Sequence, residues 1–180
     1  MSFPRYLLIF LILALTGCDD MYPSGDDKRV PVDSSTVGAS VGQIAPDFSL
    51  FDTEYNTVTM SAELVSTDGI VLYFAMWGCP TCASHMNHLR KYVIPNYPNV
   101  KFYIVDYTSN TVELSRTAQV DNKYTDLTVL VDNTQEVLTL YEATMATTVV
   151  IENAGSHGIV RMNEDYKDSV KLTTTLDALP

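Results

Sequence analysis

The stretch Ile70-Val71-Leu72-Tyr73-Phe74-Ala75-Met76-Trp77-Gly78-Cys79-Pro80-Thr81-Cys82 decides the fold. Its first seven residues form an unbroken apolar run, the pattern of a strand buried on both faces. Beyond them come an aromatic residue and a C-x-x-C pair, after which Cys82, Met86, Leu89 and Val93 recur at spacings of four, three and four. That recurrence draws one apolar stripe along a helix, and Pro95 is expected to stop it. The order strand, turn, helix puts Cys79 at the carboxyl end of a strand and the amino end of a helix, where free backbone N–H groups and the helix dipole favour a thiolate. Cys79 is therefore the candidate nucleophile. Two intervening residues bring Cys82 within reach of a disulfide while turning it toward the core, which suits a resolving partner. Pro80 has no N–H to lose and fits the first helical turn.

Working outward, residues 48–51 and 56–60 read as a short N-terminal strand pair joined through residues 52–55. Downstream, strands are expected at 100–105 and 128–131, with helices at 111–122 and 134–141. Residues 147–151 and 159–162 read as strands joined by the turn 153–158, and a last helix is expected to begin near Asp165. Strand, helix, strand, helix, strand, then a hairpin and a helix is the order of an α/β domain with a central mixed sheet covered by helices on both faces. Parallel strands place working residues at their carboxyl ends, where Cys79 falls. At 180 residues the chain suits one such domain, assigned to residues 41–180. Residues 18–40, rich in Asp, Ser, Pro and Gly, read as a flexible tether.

The N-terminus has a different character. Arg5 precedes the apolar run 7–15, which has the length of a signal-peptide core and is too short to span a bilayer. Leu15-Thr16-Gly17-Cys18 resembles the bacterial lipobox, which implies that residues 1–17 are a lipoprotein signal peptide and that Cys18 is the lipid-attachment site. The implied location is the cell envelope, anchored to a membrane; Asp19 resembles an inner-membrane retention mark, on the periplasmic side in a Gram-negative cell. The formal charge is −11, and loss of residues 1–17 would remove Arg5 and no acid, giving −12. A surface of that sign repels phosphate backbones, so nucleic acid is not an expected partner. With Cys18 assigned to the anchor, the chain's other two cysteines stand outside the cytosol, where a disulfide can persist.

Other uses of the pair compete with redox chemistry. An inert structural disulfide is one, although so small a loop adds little chain-entropy stabilisation. Metal binding is another, because His85 and His88 extend the series to C-x-x-C-x-x-H-x-x-H. Steps of three residues rotate each side chain backward by about 60°, so His88 should point away from Cys79, and no metal site is assigned. His157 falls in the turn as a solvated residue. His85 is a candidate either to tune the thiols or to be a plain helix-surface histidine.

From residue 41 onward the chain resembles the thioredoxin superfamily, nearest to the TlpA/ResA-type thiol-disulfide oxidoreductases of the redoxin, or AhpC/TSA, grouping. The resemblance rests on Val41-Gly42-Gln43-Ile44-Ala45-Pro46-Asp47-Phe48, on Val71-Leu72-Tyr73-Phe74 leading to Trp77 and the C-x-x-C, on Val129-Leu130-Val131-Asp132, and on Thr147-Thr148-Val149-Val150-Ile151 with Gly155. It implies a thioredoxin-like fold and an enzyme in which Cys79 attacks substrate disulfides and Cys82 resolves the mixed disulfide. No cofactor beyond a redox-active Cys79–Cys82 disulfide is implied. The implied partners are protein thiols and disulfides of the cell envelope and an upstream membrane dithiol carrier, with the lipid membrane reached through Cys18. Two departures stand out. Gly78 separates Trp77 from Cys79, where the family has tryptophan directly before the cysteine, so Trp77 is not expected to cover the site in the usual way. Ala146 stands at the family's cis-proline position, where a trans bond is expected. A peroxiredoxin-like peroxidase is an alternative, but P-x-x-x-T-x-x-C would need Thr and Pro where Met76 and Leu72 stand before Cys79. A non-enzymatic copper-binding module on the same fold is the other.

Overall fold

A computed structural model describes residues 32–166 and 169–180. The expected signal peptide, residues 1–17, and the expected lipid-attachment site Cys18 lie outside the described residues. Seven strands form one mixed sheet: β1 (Ser49–Asp52), β2 (Thr57–Thr59), β3 (Gly69–Ala75), β4 (Val100–Asp106), β5 (Thr128–Val131), β6 (Thr147–Asn153) and β7 (Gly158–Asp165). Their order across the sheet is β2-β1-β5-β4-β3-β6-β7. The trio β5, β4, β3 is parallel, while β6, β7, β1 and β2 add antiparallel strands at the two sides.

Residues alternate between the two faces, as the pleat requires. On β3, Val71, Tyr73 and Ala75 join one apolar cluster with Cys82, Met86, Leu89, Leu172 and Leu176. Ile70, Leu72 and Phe74 join the other with Met60, Leu64, Val137 and Tyr141. Helices α2 (Pro80–His88) and α5 (Ser169–Leu176) thus cover the first face, and α1 (Met60–Leu64) and α4 (Glu136–Leu140) the second. Helix α3 (Val112–Asp121) is capped by Thr111, whose side chain accepts from Leu114 N–H. All seven β3 residues are buried, which is why the segment reads as continuously apolar. The mixed sheet, its two helical layers and the N-terminal strand pair agree with the expected class.

Several boundaries move. Residues 33–40 were expected in the tether, yet Val37 bridges Ile44, Ala39 is buried, and Asn163 Nδ2 donates to Ala39 O at 3.0 Å. The ordered chain therefore starts before Val41. The second strand stops at Thr59 because Met60 opens α1, a five-residue helix absent from the sequence reading. Pro95 does not stop the long helix. The α-helix ends at His88, a π-turn spans Leu89–Val93, and Pro95 sits in a 3₁₀ turn, Ile94–Asn96, where its missing N–H costs nothing. Asp165 is the last residue of β7, paired with Thr147, rather than the start of a helix; α5 begins at Ser169. Among the described residues, no helix is long and apolar enough to cross a membrane.

Tyr141, fully buried, donates its hydroxyl to Pro46 O at 2.7 Å and so joins α4 to the segment leading into β1. Tyr141→Phe leaves that carbonyl unpaired and should cost about 1–2 kcal/mol. Urea unfolding should show a lower midpoint at an unchanged slope.

Candidate functional site

The site grows from the end of β3. Ala75 is the last strand residue, and Gly78 turns the chain with φ +79°, a left-handed conformation that glycine adopts without penalty. This places Cys79 as the N-cap of α2 with extended backbone, and Pro80 at the first helical position. The Cys82 N–H donates to Cys79 Sγ at 3.2 Å, and Ala83 N–H donates to Cys79 O at 3.0 Å. Cys79 is 8% exposed and Cys82 not at all. Both are free thiols.

Burial and contact separate the two electrostatically. The Cys82 thiol, followed by the backbone N–H groups of Cys82 and Thr81, holds Cys79 below the usual cysteine range. Burial pushes Cys82 up, and the adjoining Cys79 adds to the rise, against smaller opposing contacts from the Met76 backbone and the Tyr73 hydroxyl. The outer sulfur is therefore the one favoured as thiolate, and the inner one as thiol. The asymmetry expected from helix position is present, but the neighbouring thiol contributes to it ahead of the backbone amides.

Trp77 is drawn sideways. Its Nε1 donates to Asp106 Oδ2 at 2.5 Å, and its ring lies 6.2 Å from Tyr124 with a 32° tilt. Asp106 ends β4, directly beside Ala75 of β3, and is buried. Burial works to raise its carboxyl, but hydrogen bonds from Ser109, Thr108 and Trp77 outweigh it and hold Asp106 below the carboxylate range. The Ser115 hydroxyl also favours the charged form, although it meets no hydrogen-bond geometry. A groove of about 180 Å³ opens beside Cys79, lined by Met76, Trp77, Ala83, Met86 and Tyr124. Trp77 thus forms one wall of this groove.

Ala146 joins the cluster that holds both cysteines. Among the described residues no peptide bond is cis, and Ala146 has φ +70°. Its N–H donates to Phe74 O at 2.9 Å, and its carbonyl accepts from Tyr166 N–H at 2.9 Å. Both backbone groups are therefore committed within the protein. The left-handed conformation costs an alanine about 1 kcal/mol, offset by these two bonds.

His85 is half-buried and lies over the buried cysteine's side of the sheet, its Nδ1 3.1 Å from Tyr73 Oη. Burial, with His88 nearby, keeps it below the usual histidine value. His88 turns elsewhere, its Nδ1 2.7 Å from Tyr166 Oη, and His157 is exposed in the β6–β7 turn. Among the described residues no group of three His, Cys, Asp or Glu side chains could hold a metal ion. Sequence reasoning missed Tyr73, Asp106, Tyr124 and Tyr166. Tyr73 left a signal, because a hydroxyl inside a doubly buried strand must find a partner.

A model of the AhpC/TSA family matches residues 41–161. Among solved structures, the thioredoxin domain of a thiol-disulfide oxidoreductase from Bacteroides vulgatus superposes with a TM-score of 0.60 at 18% identity, covering 75% of this chain and 95% of that one. DsbF of MTB gives 0.59 at 21%, covering 74% and 95%. A thioredoxin-like protein from Aeropyrum pernix gives 0.59 at 14%, covering 74% and 89%. At such identities the likeness is one of fold, and the fold is thioredoxin-like. No curated protein sequence matches the chain.

Two outcomes follow from this geometry. Iodoacetamide alkylation of Cys79 should titrate with a midpoint below the ~8.5 of free cysteine, while Cys82 in the folded protein should react far more slowly; mass spectrometry of timed samples checks both. Ala146→Pro should destabilise by several kcal/mol, on the order of 3, because proline holds φ near −65° and has no N–H for Phe74. Thermal unfolding should show the loss, which would exclude a simple return to proline at this position.

Proposed function

The chain belongs to the AhpC/TSA family, and from that premise we propose that it is an extracytoplasmic thiol-disulfide oxidoreductase working through Cys79 and Cys82. One observation carries this reading: Cys79 caps α2 with its sulfur 3.2 Å from the Cys82 N–H, and contact lowers the outer thiol while burial raises the inner one. That is the division of labour disulfide exchange needs, one ionised nucleophile and one protected thiol close behind it.

In the reductive direction, Cys79 thiolate attacks one sulfur of a substrate disulfide. The substrate S–S bond breaks, a Cys79 mixed disulfide forms, and the released thiolate takes a proton from water. Cys82 then attacks Cys79 Sγ, forming the Cys79–Cys82 disulfide and releasing the second substrate thiol. Two electrons pass from the protein dithiol to the substrate, and a membrane dithiol carrier returns them. Pro80 and Gly78 fix where Cys79 sits, and Trp77, pinned by Asp106, walls the groove in which the substrate lies. Ala146 stands where the family offers backbone to substrate, but its own groups are internally bonded. Docking therefore falls to the groove.

The substrates in this reading are disulfides of cell-envelope proteins. Residues 1–17 direct export, Cys18 carries the lipid, and the following residues tether the folded part, which starts near Asp33. Several acyl chains at Cys18 would give lasting attachment where one would be marginal.

The protein should accelerate dithiothreitol-driven reduction of insulin. Cys79→Ser should abolish that activity, and Cys82→Ser should trap the mixed disulfide as a species visible by mass spectrometry. Insulin reduction at the uncatalysed rate, combined with peroxide consumption that depends on Cys79, would overturn the proposal in favour of a peroxidase.

A further inference from the structure

Resting on the dithiol reading above, we propose that the groove beside Cys79 is a specificity pocket for one uncharged apolar side chain of the substrate (leucine, methionine or phenylalanine) standing next to the cysteine under attack, with Trp77 and Tyr124 as the specificity-determining residues. The position of the groove supplies the link to chemistry. Cys79 is itself a lining residue, so a group seated there lies beside the attacking sulfur. Tyr124, from the connection between α3 and β5, lines it as well, and Ala146 does not. The pocket is thus separate from the place where the family offers backbone to substrate.

Size and charge select the occupant. The groove measures about 180 Å³, and an apolar space of roughly 150 Å³ holds a benzene-sized group, so one large apolar side chain fills it. Among the described residues that line it, none is Asp, Glu, Lys, Arg or His. The carboxylate behind Trp77, Asp106, is buried and already bonded to Trp77, Thr108 and Ser109. A charged side chain seated in the groove would lose water and gain no partner. The thioethers of Met76 and Met86 and the two aromatic rings offer dispersion contact to an apolar one.

The pocket is also formed in advance. Trp77 is held by the 2.5 Å bond from its Nε1 to Asp106 Oδ2. The Tyr124 hydroxyl donates to Ala83 O at 3.2 Å, and the Arg90 guanidinium carbon lies 5.2 Å from the centre of the Tyr124 ring. Arg90 is fixed in turn, donating to Lys123 O at 2.9 Å and to Asp126 Oδ1 at 3.1 Å. Both rings are therefore in place before a substrate arrives, so little ordering cost is left to set against the contact area.

Peptide disulfides identical except for leucine or serine on both sides of the cysteine test this, reduced by the full chain in a Cys18→Ser background. Release of peptide thiol is followed by chromatography, and each rate is divided by that with dithiothreitol alone. The leucine peptide should react at least about tenfold faster than the serine peptide, the low end of what a hydrophobic pocket supplies. Ala83→Met, which puts a longer side chain into the groove, should bring that ratio close to one; because the ratio compares two substrates on one protein, it cancels any change at Cys79 itself. Trp77 is the chain's only tryptophan, so its emission reports on the groove. In the mixed disulfides formed by Cys82→Ser, the leucine peptide should shift that emission to shorter wavelength than the serine peptide does. Equal rates for the two peptides in the parent, a preference that Ala83→Met leaves undiminished, or coincident emission spectra would overturn the pocket. Absence of any Cys79-dependent release of thionitrobenzoate from Ellman's reagent would instead overturn the dithiol reading, so the two failures are distinguishable.

Discussion

One hydrogen bond organises the site: the Cys82 N–H reaching 3.2 Å to Cys79 Sγ across the first turn of α2. It is an N-cap interaction made by sulfur where an oxygen usually serves. Because the cap is also the outer thiol, starting the helix and stabilising a thiolate are the same event. The contact demands a strand that ends at Ala75, a left-handed turn at Gly78 and a helix that begins without the N–H of residue 80. Each demand is met by one residue type in the right place. The rest of the domain holds β3 and α2 at that spacing, with β4 and β6 pairing β3 on either side and α5 packing on the same face as α2.

The parts of this arrangement that were legible in the sequence share a physical basis. β3 could be read because both its faces are buried, and α2 because its buried side chains repeat with the helical period. Cys79 and Cys82 could be placed because their spacing spans a first turn. What was not legible depended on contacts distant in the chain. Nothing near Pro95 signals that a π-turn at Leu89–Val93 lets the helical path continue into a 3₁₀ turn. Residues 33–40 look like a linker by composition, and contacts with Gln43, Ile44 and Asn163 show that they pack. Asp106 reads as an ordinary strand-end acid until β4 sets it beside Ala75 and under Trp77.

The family resemblance pointed to the candidate site and also marked where this chain departs from the family. Gly78 inserts between Trp77 and Cys79, and the indole swings to Asp106 and Tyr124 to become a wall. Ala146 answers the missing proline with a left-handed residue whose N–H and carbonyl are both used, tying the loop before β6 to the end of β3 and to Tyr166. The family position is thereby kept as a structural joint. In the proposed reading, recognition shifts from a backbone edge to a groove lined by sulfur and aromatic side chains.

The burial of all of β3 in the middle of the sheet has a thermodynamic consequence. Amides in such a strand exchange with solvent through the largest openings of a domain, so the cysteines at the start of α2 follow directly on the part of the molecule that opens last. In the proposed dithiol reading, folding and electron transfer are two sides of one cycle. Whatever amount by which the domain is more stable with its sulfurs joined than apart must reappear in the midpoint of the couple, at about 30 mV for each 1.4 kcal/mol. Packing against β3, even far from the sulfurs, is in this sense a setting of the voltage.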